Sequence, residues 1–315
     1  MVKITDKLKQ RFCKDQKLPI QIYTSPYFEE RLKLMNKLDI YIDFIMFINN
    51  TFETTEDYFE YYNNLKDTMI NYIKDSEAYK LLQTEDMNKY SRKHALRQSD
   101  VYKESNIGKT FFSIDMQKAN FSALVKFSKN TNTKFFDSFD YNEFIGSFTP
   151  HDYFKSSKYI RQVIFGNCNP KRQVTYESYL MDNLLEELIS NNIIFIDDIY
   201  SLCSDEIIIE VKNENTSVDI IRLIEFCNSF TEFPIKTEYY KLGKIINTNA
   251  YIKESIFNGS YSLKCVNALE APFIYRFLND NGNYEESDLV FIHEGKLAKF
   301  LEYPKLKIVY DKNDL

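Results

Sequence analysis

The sequence predicts an α+β fold, with a helical N-terminal region followed by an antiparallel sheet and flanking helices. Two observations predict it. Helix-period apolar patterns run through residues 25–74 and again through 169–190. Short β-branched and aromatic runs occur at 110–114, 193–203, 207–211 and 235–240, with turn residues between the middle two.

In chain order, residues 1–24 are expected to be irregular, with Pro19 and Pro26 as breaks. Ser25 can cap a helix to Asn49, with Pro26 in its first turn and Leu32, Met35, Leu38, Ile42, Ile45 and Phe47 on its apolar side. Thr54 with Asp57 forms a capping box for a second helix to Lys74. TFFSI (110–114) is a buried strand, and Ala119, Leu124 and Phe127 mark the inner side of the helix after it. Two short segments, 140–148 and 150–154, precede a short helix from Ser156 or Ser157 to Gly166. Asn169 and Pro170 then start a long helix with Leu180, Leu184, Leu185 and Leu188 inside. Ile193–Cys203 and Ile207–Val211 form a hairpin around Ser204-Asp205-Glu206. Thr216 or Ser217 caps a helix through Phe230, and a strand follows at Ile235–Tyr240. The tail mixes strands, a helix at Glu270–Leu278 and a hairpin turning at Glu294-Gly295. No linker separates the expected regions, 1–109, 110–245 and 246–315.

Composition narrows the function classes. Tyr (24) and Phe (26) are abundant and Trp is absent, a bias towards packed cores that names no activity. No apolar run has transmembrane length and the first residues are polar, so a cytoplasmic protein without a membrane partner is expected. Five scattered cysteines without a CxxC pair fit a reducing compartment, and three distant histidines give a Cys/His zinc site little support. A net charge of −6 argues against nonspecific coating of nucleic acid but leaves room for a local basic groove.

Four features carry chemistry. Asp115 ends the 110–114 strand, where a carboxylate is costly unless paired. A divalent metal is one partner, and a helix N-cap role is the alternative. The densest cationic stretch contains Lys89, Arg92, Lys93 and Arg97, which are either solvated charges or phosphate ligands. Lys171, Arg172 and Gln173 occupy the first turn of a helix, where cations oppose the helix dipole. The adjacent acids Asp205 and Glu206 sit between two very apolar strands and are otherwise ordinary turn residues.

The order basic segment, strand–Asp–helix, helix pair and acidic hairpin resembles the palm and fingers of template-dependent nucleotide polymerases, most closely the reverse-transcriptase-like group. SIDMQKANF supplies Asp115 as the first palm acid, and CSDEIIIEV supplies Asp205 and Glu206 as the acidic hairpin. Their separation is in the range that group uses. The resemblance implies a palm-like sheet on which Asp115, Asp205 and Glu206 hold Mg2+ (or Mn2+), with a nucleic-acid template and primer and nucleoside triphosphates as partners. It also implies that Lys89, Arg92, Lys93 and Arg97 hold the triphosphate, and that Arg161, Gln162, Gly166, Lys171 and Arg172 lie near template and nucleotide. A bulky sugar gate often stands five residues after the first acid in that family. Here that position is Asn120, followed by Phe121. The turn departs from the paired aspartates of reverse transcriptases.

The expected activity is therefore metal-dependent nucleotidyl transfer to a nucleic-acid 3′ end, with a further protein partner left open. Two alternatives compete. Asp197 with Glu210 and Lys212 has the D…ExK form of metal-dependent nucleases, in which Lys helps to activate water. The other is a non-enzymatic nucleic-acid- or protein-binding chain whose acids only cap helices and turn the backbone.

Overall fold

The computed structural model describes residues 2–212 and 219–314. Thr5 caps α1 (Asp6–Gln16) by accepting the Leu8 amide, in a stretch expected to be irregular. Its period is hidden in the sequence because the buried face mixes Leu8 and Phe12 with Cys13 and Asp15. The helix expected over 25–49 is two, α2 (Tyr27–Leu34) and α3 (Leu38–Thr51). Asn36 breaks them at φ 55°, a conformation Asn tolerates better than most residues. Apolar residues continue through the break, so the pattern looks unbroken. Pro26 rather than Ser25 occupies the cap position. Helix α4 (Thr55–Asp75) begins with the predicted Thr54–Asp57 capping box, and α5 (Glu77–Thr84) follows.

The cationic segment after α5 is not an α-helix; it carries only 3-10 turns at Met87–Tyr90 and Glu104–Asn106. Next come β1 (Thr110–Met116), α6 (Ala119–Thr131), α7 (Tyr141–Gly146), α8 (Asp152–Ser156), α9 (Lys158–Gly166) and α10 (Pro170–Ser190). The hairpin is β2 (Ile199–Leu202) and β3 (Glu206–Val211). Strand β2 starts later than expected because Ile196–Asp198 form a 3-10 turn, in which Asp198 accepts the Phe195 amide. The expected caps Thr216 and Ser217 lie outside the described residues; Asp219 caps α11 (Ile220–Ser229). The chain continues through β4 (Ile235–Ile245), β5 (Tyr251–Ser255), β6 (Tyr261–Lys264), α12 (Ala271–Asp280), β7 (Val290–His293), β8 (Lys296–Lys299) and β9 (Ile308–Val309). Glu294 and Gly295, both at positive φ, make the two-residue turn of the β7–β8 hairpin.

This is an α+β fold. The main sheet has the order β2-β3-β1-β4-β5-β6, with β9 beside β4 and every neighbouring pair antiparallel. Strand β3 separates β1 from β2, and β1 separates β3 from β4. With α6–α10 between β1 and β2, and α11 between β3 and β4, the first four strands form a split β-α-β unit. Alternation along the strands divides the faces. Phe112, Ile114, Ile207 and Ile209 join the large core with α6 and α10. Phe111, Ile208, Tyr240 and Leu242 point the other way, under Val101, Ile107 and Val309. No helix among the described residues is long and apolar enough to cross a membrane.

A buried ion pair joins the two ends of the chain. Arg31 of α2 donates to Asp288 Oδ1 at 3.2 Å and to the carbonyls of Ser287 and Val290, while Arg276 Nε donates to Asp288 Oδ2 at 2.9 Å. Removing one partner of such a network strands a buried charge. Asp288→Ala is therefore expected to lower stability in urea unfolding by about 3–5 kcal/mol. A loss under 1 kcal/mol would mean that Arg31 finds other acceptors.

Candidate active site at the sheet edge

The C-terminal end of β1 meets the N-terminal ends of β3 and β4 at one edge of the sheet. The ladder pairs Asp115 with Glu206 on one side and with Lys236 on the other. Directly opposed residues of an antiparallel ladder share a face. All three thus project from the face that α6 and α10 do not cover. Asp205 lies in the turn before Glu206, and its carbonyl accepts the Met116 amide at 2.8 Å. Asp115 is not a helix cap, because α6 begins at Ala119 behind Lys118.

Opposed carboxylates destabilise a ladder unless something offsets their repulsion. Asp115 and Glu206 are both half-buried, and among the described residues neither carboxylate accepts a hydrogen bond. Burial raises the Asp115 pKa and Asp205 raises it further, against Lys158 of α9 and Lys236. Burial also raises Glu206, which Lys253 pulls down and Asp115 and Asp205 push up. Next along the same face, Glu238 sits 2.7 Å from Lys236 Nζ and 3.0 Å from Lys253 Nζ. Burial pushes Glu238 up, but the two ammonium groups outweigh it and hold it at about 2. One acid near the edge is neutralised in place, whereas Asp115 and Glu206 are not.

Beneath the edge, Glu177 of α10 is 2% exposed and accepts a hydrogen bond from Asn120 of α6. Burial pushes Glu177 up to about 7, and the Asp205 charge adds to this while Asn120 opposes it. One turn earlier Gln173 is equally buried, and neither of its amide atoms has a protein partner.

The fold brings Asp115, Asp205 and Glu206 to one end of the sheet, whereas Asn120 bonds Glu177 on the side of α6 and α10. Arg161 stands one turn from Lys158 on α9, over the Tyr141 ring. Gln162, Gly166 and Lys171 are exposed around the α9–α10 connection. Phe121 is fully buried among Tyr141, Phe144 and Phe165 and presents no surface to the edge. The basic segment lies along α10 and β2. Lys89 pairs with Glu85, Lys93 with Glu186, and the Lys93 and His94 amides bond Asp182 of α10. Arg97 donates to the Ile199 carbonyl and bridges Leu202 through its backbone, while Arg92 keeps a buried nitrogen without a partner. Arg172 donates to the carbonyls of Leu82 and Glu85. Of the nuclease set, Asp197 is exposed on the 3-10 turn and Glu210 is paired with Lys109 at 3.1 Å, at the opposite end of β3 from Asp205. Lys212 is exposed just beyond it.

Sequence reasoning passed over Lys158, Glu177 and Glu238. Only Glu177 left a signal, since an acid three and seven residues before Leu180 and Leu184 stands on the inner face of its helix. Glu177 ionises near 4.5 when unperturbed and near 7 in the fold, so the native state holds the extra proton and stability falls as pH rises between those values. Glu177→Gln removes this cost, of order 3 kcal/mol above pH 7. Its gain in Tm over the parent should be larger at pH 8 than at pH 5; equal gains would show that Glu177 does not titrate in that interval.

Comparison with protein-family models, with curated proteins and with solved structures finds no match to this chain.

Proposed function

We propose that this chain is a metal-dependent nucleotidyltransferase that extends a nucleic-acid 3′ end, built on a reverse-transcriptase-like palm. The observation that carries the reading is the pairing of Asp115 with Glu206 across neighbouring strands, with Asp205 in the adjoining turn and no protein hydrogen bond to either paired carboxylate. Such an edge is unfavourable by itself and suits a cation.

The donor set is all oxygen, which fits Mg2+ or Mn2+ rather than a softer metal. Among the described residues no group of three or more His, Cys, Asp or Glu side chains is placed to hold a metal ion. Mg2+ typically takes only one or two carboxylates and completes its shell with water and substrate phosphates. One or two of Asp115, Asp205 and Glu206 would hold each ion. When bound, it supplies charge stabilisation at the transferring phosphoryl group. Lys158, whose charge reaches Asp115, would assist by attracting phosphate oxygens to the acids, while Lys236 is paired with Glu238. The ion pair at Glu238 keeps that carboxylate from competing for the metal.

Primer extension on DNA and RNA templates, with deoxy- and ribonucleotides and Mg2+ or Mn2+, tests the reading. Extension is expected from the parent and is abolished by chelator. Asp115→Asn and Asp205→Asn should each slow it by about a hundredfold or more with an unchanged far-UV spectrum, and Lys212→Ala should leave it intact. Extension that survives both Asp changes, or strand cleavage that requires Lys212, overturns it.

A further inference from the structure

A cleft of about 530 Å3 opens among three parts of the C-terminal region. Asn247 comes from the turn after β4, Glu270 and Phe273 from the start of α12, and Phe300, Glu302, Tyr303 and Lys305 from the segment between β8 and β9. It lies at the other end of β4 from the acidic edge. Nine positions at ~3.3 Å each separate Ile245 from Lys236, roughly 30 Å in all.

Contacts within the protein fix the walls. The Tyr303 ring stacks on Tyr284 at 5.2 Å and 8°, and the Tyr284 hydroxyl donates to the Pro304 carbonyl at 3.3 Å. Phe273 meets Phe300 edge to face at 5.6 Å. Asn247 Nδ2 donates to the Lys305 carbonyl at 2.7 Å and the Ile246 amide to the Lys307 carbonyl at 2.9 Å, which ties the segment after β8 to the end of β4. The Glu270 carboxylate is held by the Asn249 amide and by Asn249 Nδ2, each at 3.0 Å. Each of its oxygens keeps a further lone pair for a ligand.

A cleft of this volume suits a small organic molecule, and an aromatic lining with a few placed polar groups is the usual composition of such a site. Phe273, Phe300 and Tyr303 favour a flat ring. Glu270 and Glu302 face a single ammonium group, that of Lys305, so the lining is net acidic. Among the described residues neither carboxylate is in a salt bridge.

We propose that this cleft binds a small aromatic cation, its ring against Phe300 and Tyr303 and its ammonium group bonded to Glu270 and Glu302. Attraction of the cation to the aromatic faces adds to the ion pair. An anion on the same ring would meet two carboxylates instead. The site is separate from the acidic edge and stands whether or not the nucleotidyltransferase reading holds.

Ligand-observed NMR titration of the full chain with tryptamine tests this, with indole-3-propionate as the anion on the same ring system. Tryptamine should bind about tenfold or more tightly than indole-3-propionate. Tyr303→Ala should weaken tryptamine about five- to tenfold. Glu270→Gln combined with Glu302→Gln should remove the preference for the amine over the acid, a ratio that a general loss of folding would not move. Glu143→Gln on α7 should leave both affinities unchanged. Failure of tryptamine to bind would overturn the proposal and leave the cleft to a polypeptide partner. Equal affinity for the two probes, or a preference that survives the paired Glu changes, would overturn it as well.

Discussion

The acidic edge depends on the antiparallel register of β1 between β3 and β4. A one-residue slip of β1 against β3 would turn Asp115 and Glu206 to opposite faces of the sheet, and a slip against β4 would do the same to Asp115 and Lys236. The register is held by apolar residues on both faces. Phe112 and Ile114 with Ile209 and Ile207 pack beneath the helices, and Phe111 with Ile208 and Tyr240 pack on the other side. With both faces of the central strands buried in this way, a slip exchanges two packed sets at once. The chain can therefore carry opposed carboxylates at the strand ends, where the ladder alone would reject them.

Charge around this edge is partitioned by burial and partner. Glu238 lies between two lysines and stays ionised, Glu177 is buried on a helix and drifts towards neutrality, and Asp115 and Glu206 remain half-buried without donors. Three outcomes for the same functional group follow from which element delivers it and which cations are close. The cations near Asp115 come from α9 and β4 rather than from the basic segment before β1. That segment instead uses its charges to dock against α10 and β2.

The scaffold spans the whole chain. One continuous core extends from Val2 through the helices to Ala271, and Arg31 reaches Asp288 across nearly the full sequence. Packing of α1 against α9 ties the N-terminal helix to the helices that follow β1.

Local physics was legible where one residue type dictates one geometry. The Thr54–Asp57 box, Pro170 at the start of α10, the β-branched strands β1 and β3, and the Asp115 and Asp205-Glu206 positions could all be read from the amino-acid sequence, and with them the α+β class. Helix α1 and the α2–α3 break could not, because a mixed buried face and a single left-handed Asn leave no periodic trace. The basic stretch was visible as charge, but its partners Asp182, Glu186 and the β2 carbonyls are set by tertiary contact. Only folding, which sets β1 between β3 and β4 in register, decided that Asp115 meets Glu206 and Lys236, because electrostatic contact depends on distance in space and not on separation along the chain.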